Sequence, residues 1–390
     1  MKVVIATDSF KGCLSSLEAG SVMKDAILNV EPDADIKVFP LADGGEGTVE
    51  SLMSCMKGHE ETVTVTGPLG EKTESCYGIV DNGGVKTAVM EMANVAGITM
   101  LPEKSKNPMN TTTYGVGEMI LDATKKGCRE FIIGIGGSAT NDGGMGMLEA
   151  LGVEFFNSEG RKAGIYGRDV LRVARVNVSN MAPVLKECHF TIMCDVTNPL
   201  CGEMGASYIY GPQKGATEKT VKQMDEGLAN YAAVIKRDTG KDHACDEGAG
   251  AAGGLGFAFM SFFNTSIVPG ISFILDKLGL DNEMIDADLV VTGEGKLDAQ
   301  TAMGKAPAGV AKLAKKHGAK VIAFTGQRGD GASCCNDAGM DAYFGILGSP
   351  MTTEEAMDKD IARANITATV EQVFRLMKVC RFPDSAKLHV

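Results

Sequence analysis

Five or six strand ends along this chain each lead into a glycine-rich loop holding an acid, a hydroxyl residue or a lysine. The loops are Asp8-Ser9-Phe10-Lys11-Gly12, the Asp43 loop between Pro40 and Thr48, Ser138 to Asp142, Asp195 to Leu200, Gly211 to Ala216, and Glu294 to Asp298. One such loop is an ordinary turn. Six on one chain are hard to explain as turns alone. Alternating parallel units place ligands at the carboxyl ends of their strands, so the repetition points to an α/β fold with a site built from loops. The 49 glycines against 12 prolines agree with many turns and close backbone approaches to an anion, and not with a disordered chain.

At 390 residues the chain has room for about two domains, each with its own core. A net charge of −12 argues against nucleic acid as the main partner. An anionic small substrate stays compatible, because local dipoles and a few lysines outweigh the net charge. The 11 cysteines contain no CxxC, and the 5 histidines form no HxxxH or HExxH pair, so reduced thiols and no zinc site are expected. No apolar run reaches the ~18 residues of a membrane span, and Met1 to Ala6 is too short for a signal peptide. The expectation is a soluble cytoplasmic protein without a membrane partner; homo-oligomerisation is left open.

Lys2 to Thr7 suits a buried parallel strand. Ser15-Ser16-Leu17-Glu18 fits a capping box, and Val22, Met23, Ala26, Ile27 and Val30 follow at helical spacing. A second strand spans Ile36 to Phe39, and a helix opens near Val49. Val63 to Thr66, Ser75 to Val80 and Lys86 to Met90 then read as antiparallel hairpins, followed by strands at Phe131 to Ile135 and Phe190 to Cys194. Strand and helix alternate again through Leu289 to Val291, Lys320 to Phe324 and Ala342 to Ile346, with Pro307 in a first helical turn. The expected architecture is a Rossmann-like parallel-sheet domain from both chain ends (1–62 and 285–390), with an inserted α/β domain of mixed sheet (63–284). A cleft between two domains is the expected place for a site.

No GxxxxGK[ST] is present, which excludes a P-loop kinase. Gly134 to Ala139 matches the alanine variant of a dinucleotide fingerprint, but Thr140-Asn141-Asp142-Gly143-Gly144 follows where an uninterrupted helix is wanted. An NAD-dependent oxidoreductase is therefore the rival reading. Gly248 to Gly253 matches GxGxxG without a preceding strand; close helix packing and an anion-binding helix start stand level there. Phosphoryl transfer needs lysines and backbone amides for the phosphates, carboxylates for magnesium, and a carboxylate to take a hydroxyl proton. Lys11, Lys214, Lys296 and Lys305 suit the first task; Asp8, Asp43, Asp142, Asp195, Glu294 and Asp298 suit the others. Read as structure alone, Asp8 is a cap, Asp142 a turn residue and Lys305 a solvated lysine. Asp195, directly after an apolar strand, has the weakest such reading.

Taken together, the segments from Ala6 to Gly12, Leu41 to Thr48, Gly134 to Gly144, Cys194 to Leu200, Gly211 to Ala216 and Thr292 to Asp298 resemble the type-1 (bacterial) glycerate kinase family, in the family's order. The resemblance implies an ATP- and magnesium-dependent kinase acting on D-glycerate, with 2-phosphoglycerate favoured over 3-phosphoglycerate. On this basis Asp195 is the expected general base and Lys296 a catalytic lysine. Asp8, Ser9 and Lys11 are expected at the glycerate. Gly136, Gly137, Ser138, Thr140, Asn141 and Lys214 are expected at the nucleotide, and Asp43 and Glu294 at magnesium.

Overall fold

The computed structural model describes residues 1–42 and 44–380; Asp43, expected at a metal, lies outside them. The chain divides into two compact units, Met1–Ala42 with Ile274–Val390, and Asp43–Phe273.

In the first unit, five strands form one all-parallel sheet in the order Ala342–Gly345, Lys320–Arg328, Leu289–Leu297, Lys2–Thr7, Asp35–Pro40. Val3, Val4, Ile5 and Ala6 are all fully buried, as expected of a central strand covered on both faces. Helix Ser16–Val30 begins where Ser15 Oγ accepts from Glu18 N at 3.2 Å and Glu18 Oε2 accepts from Ser15 N at 2.9 Å. This box satisfies two amides left open by the helix start and turns Met23, Ala26 and Ile27 into the core. The final helix, Lys359–Cys380, packs Ile366, Val370 and Phe374 into the same core. From Lys2–Thr7 the chain goes to one side for Asp35–Pro40 and to the other for the three later strands. That reversal is a topological switch point, where open α/β sheets receive ligands.

The second unit holds a mixed six-stranded sheet in the order Asn264–Val268, His189–Met193, Glu130–Gly134, Val85–Glu91, Lys72–Asn82, Gly58–Thr66. The first four run parallel; the last two pairings are antiparallel, where hairpins were expected. Phe131 stacks on Phe190, and Phe259 meets Phe190 at a tilt, within this unit's core. A small antiparallel pair, Glu154–Phe156 with Arg175–Asn177, lies apart from the main sheet.

Candidate active site

In the first unit, the carboxyl ends of four neighbouring strands surround a cavity of about 500 Å³. Ser9 and Lys11 follow Lys2–Thr7. Glu294, Lys296 and Asp298 stand at the end of Leu289–Leu297, and Gln327 at the end of Lys320–Arg328. Asp8 is buried, and its Oδ1 accepts from Ser9 N at 2.7 Å, which fixes the start of the loop. Ser9 Oγ is buried without a hydrogen-bond partner among the described residues. A buried hydroxyl in that state carries a desolvation cost that a bound anion or water would relieve.

Glu294 is buried and accepts from Thr301 Oγ1. Burial pushes its carboxyl above the usual range, while the Thr301 bond and the charges of Lys305 and Lys11 pull the other way. Asp298 caps helix Ala299–Ala302 through Gln300 N at 3.0 Å and Thr301 N at 3.3 Å, and lies 3.3 Å from Lys296 Nζ. Partial burial raises the Asp298 carboxyl, but Lys296, Lys305 and the two amides outweigh it and hold it low. Lys305, which lines the same cavity, completes a set of three cations and two carboxylates.

In the second unit, the loop after Glu130–Gly134 is locked from several sides. A side chain on Gly134 would begin 2.4 Å from Gly44 O, so the backbones can meet only at glycine. Gly136 N donates to Gly44 O at 3.0 Å and Ala139 N to Ala96 O at 2.8 Å. Lys214 is buried behind the loop, donating to Ser138 Oγ at 2.6 Å and Thr140 O at 2.7 Å. Burial lowers its pKa to about 7, against the charge of Asp142. Ser138, Thr140 and Lys214 thus form one network. Asn141 Nδ2 donates to Ser207 Oγ at 3.0 Å, while Asn141 Oδ1 and Thr140 Oγ1 have no partner among the described residues.

Asp142 is fully buried and accepts from Thr113 N and Oγ1, both at 2.8 Å, and from Gly144 N and Gly146 N. All four bonds are to its own scaffold, which gives it an architectural part. Gly253, at φ +68°, presses on the other flank of the loop: a side chain there would begin 2.1 Å from Thr140 O. Close packing therefore accounts for the Gly248 to Gly253 segment. Asp195 is exposed just beyond strand His189–Met193, its Oδ1 accepting from Gly270 N at 2.7 Å.

Three residues at these loops are not among those expected from the sequence. Thr301 steadies Glu294; it stands at capping distance from Asp298, a spacing that marks the helix start. Ser207 engages Asn141. Glu91 caps helix Thr48–Cys55 by accepting from Gly47 N at 3.2 Å and from Val49 N, fixing the end of the 44–47 loop. Nothing local in the chain marks either of the last two. Among the described residues, no cluster of three or more His, Cys, Asp or Glu side chains is placed to hold a metal ion by itself. Magnesium does not require one, since it binds through one or two carboxylates, substrate phosphates and water.

Fold and loops define a class: a two-unit α/β protein with lysines, buried carboxylates and amide-rich loops gathered at strand ends. A model of the Glycerate kinase family matches residues 3–378, and the chain belongs to that family. It is an enzyme, a kinase. A protein of Haemophilus influenzae named glycerate kinase is 43% identical over 97% of this chain and 99% of its own. The Escherichia coli protein named glycerate 2-kinase is 43% identical over 95% of this chain and 98% of its own. The crystal structure of a putative glycerate kinase 2 from Salmonella typhimurium superposes with a TM-score of 0.82 at 40% identity, covering 97% of this chain and 99% of the other. The oxidoreductase reading of Gly134 to Ala139 gains no support from any of these. No helix among the described residues is long and apolar enough to cross a membrane.

Proposed function

We propose that this enzyme transfers the γ-phosphoryl group of ATP to a hydroxyl of D-glycerate, with magnesium, forming 2-phosphoglycerate in preference to 3-phosphoglycerate. The observation that carries it is the gathering of Ser9, Lys11, Glu294, Lys296 and Lys305 on one cavity, with Ser9 Oγ buried and unpartnered among the described residues. The 2-position is favoured by the name of the E. coli relative. In this reading Ser9 and Lys11 receive the glycerate carboxylate, and Asp8 holds the loop by its bond to Ser9 N. The amides of Ser138, Thr140 and Asn141 suit phosphate oxygens; those of Gly136 and Ala139 are committed to other carbonyls. Lys214 supports that loop from behind.

Asp195 takes the proton of the attacking hydroxyl, whose oxygen bonds to the γ-phosphorus as the bond to the β-phosphate oxygen breaks and ADP leaves. Lys296 stabilises the charge on the transferring group. Glu294 and Asp43 suit the metal, which when bound neutralises charge on the polyphosphate oxygens. The 11 cysteines are free, which agrees with a reducing, cytoplasmic setting. The test is ³¹P NMR of purified enzyme with ATP, magnesium and D-glycerate. A glycerate-dependent phosphomonoester resonance is expected, matching authentic 2-phosphoglycerate in shift and splitting. Its absence with folded protein removes the glycerate reading.

A further inference from the structure

The first unit's cavity is built for more than a three-carbon acid. At about 500 Å³ it falls within the roughly 300–1,000 Å³ of sites that enclose drug-sized ligands. Glycerate fills a small part of that space, and its carboxylate and hydroxyls have no use for an apolar wall. Yet one wall is apolar: Ile346, Leu347, Met351 and Met357, on the segment after strand Ala342–Gly345, line the same cavity as Lys11, Lys296 and Lys305. Leu347 and Met357 leave 42% and 43% of their surface uncovered, so the wall has apolar surface to offer a ligand. Met357 leans over the Ser9–Lys11 loop, its Cε 2.7 Å from where a side chain on Gly12 would begin. The apolar wall and the cationic loop are therefore immediate neighbours. The cavity also opens at the carboxyl edge of a parallel sheet, beside the switch point between Lys2–Thr7 and Leu289–Leu297.

We propose that this cavity holds the base end of the nucleotide, with the purine against Leu347, Met351 and Met357 and the polyphosphate leaving it past Lys296 and Lys305, its oxygens still open to the loop amides assigned above. This rests on the kinase reading above and adds to it where the base lies. A flat, apolar-faced base and a polyanionic tail match the two-sided lining, and Met side chains adapt to the face of a ring. Lys11 and Ser9 then stand where the tail meets the acceptor.

The test uses the whole enzyme with 8-azido-ADP and magnesium, irradiated and digested, with peptides located by mass spectrometry. Label that unmodified ADP competes away is expected on the segment 346–362. Competable label on 134–142 or 195–216 instead, or no competable label anywhere, overturns the proposal. A second measurement is calorimetric binding of magnesium–ADP to Met357→Asp. A charge placed against the base is expected to weaken binding by about tenfold or more. Affinity within about twofold of the unaltered enzyme, in a folded variant, overturns it. The two readings fail separately. Label on 346–362 in a protein that phosphorylates no glycerate removes the substrate and keeps the site. Glycerate phosphorylation with label elsewhere does the reverse.

Discussion

Lys214 Nζ donates at once to Ser138 Oγ, at 2.6 Å, and to Thr140 O, at 2.7 Å, and so bridges two points of the loop that follows strand Glu130–Gly134. The amine is buried. Lys214→Met leaves both acceptors without a donor, at a cost of about 1–3 kcal/mol. Steady-state kinetics should show the KM for ATP raised by about tenfold, with a lower urea midpoint. The pH dependence has a definite sign. Burial lowers the amine from 10.5 to about 7, so the unfolded chain binds more protons than the folded one between those values. The stability of the unaltered enzyme therefore gains from this residue as pH rises through that window, and the variant lacks the gain.

Glu91 carries the opposite slope. Burial raises its carboxyl from 4.5 to about 7, against the bonds from Val49 N and Gly47 N. The folded chain keeps a proton there that the unfolded chain has released, so the contribution to stability is complete below 4.5 and is lost as pH climbs through 7. Glu91→Gln abolishes the titration. Between about pH 4.5 and pH 8 the variant's unfolding free energy should gain about 3 kcal/mol on that of the unaltered enzyme. Parallel urea-derived profiles across that range would take Glu91 out of this account.

What the sequence disclosed and what it withheld divide by distance along the chain. The box between Ser15 and Glu18 is legible because both partners lie within one helical turn, and the parallel strands are legible because apolar runs covered on both faces leave few other readings. Glu91 is silent because the amides it caps lie 44 and 42 residues earlier in the chain. Lys214 and Ser138 were each assigned to the nucleotide, but the bond between them spans 76 residues and belongs to the fold. The Ile346 to Met357 wall, with a single glycine at Gly348 and its acids only in the helix start at Glu354 and Glu355, lacks the strand-end cluster that drew attention to the other loops. Its meaning comes only from facing the lysines across one cavity.

Thr301 offers a narrower test. Its Oγ1 donates to Glu294 Oε1 and accepts from Asp298 N at 3.2 Å, so one hydroxyl ties the buried carboxylate to the helix cap. Thr301→Val keeps the volume and deletes both bonds. Groups that orient a metal-binding carboxylate, the part proposed for Glu294, typically affect metal affinity or activity by about 10- to 100-fold. The magnesium concentration for half-maximal rate should rise by about tenfold in Thr301→Val and return close to normal in Thr301→Ser. If valine and serine behave alike, Glu294 does not depend on this hydroxyl.

Asp195→Asn separates chemistry from structure at the proposed base. The carboxylate Oδ1 accepts from Gly270 N at 2.7 Å, and an asparagine retains an oxygen able to accept the same bond, so the loop is expected to keep its place. An amide does not take up a hydroxyl proton near neutrality. Loss of a general base lowers kcat by about 10²–10⁴, and that loss is expected with little change in KM for either substrate and an unaltered circular dichroism spectrum. A joint rise in both KM values would instead make Asp195 a binding residue. A near-normal kcat would move the proton to another carboxylate, for which Asp298, beside Lys296 in the first unit, is the next candidate.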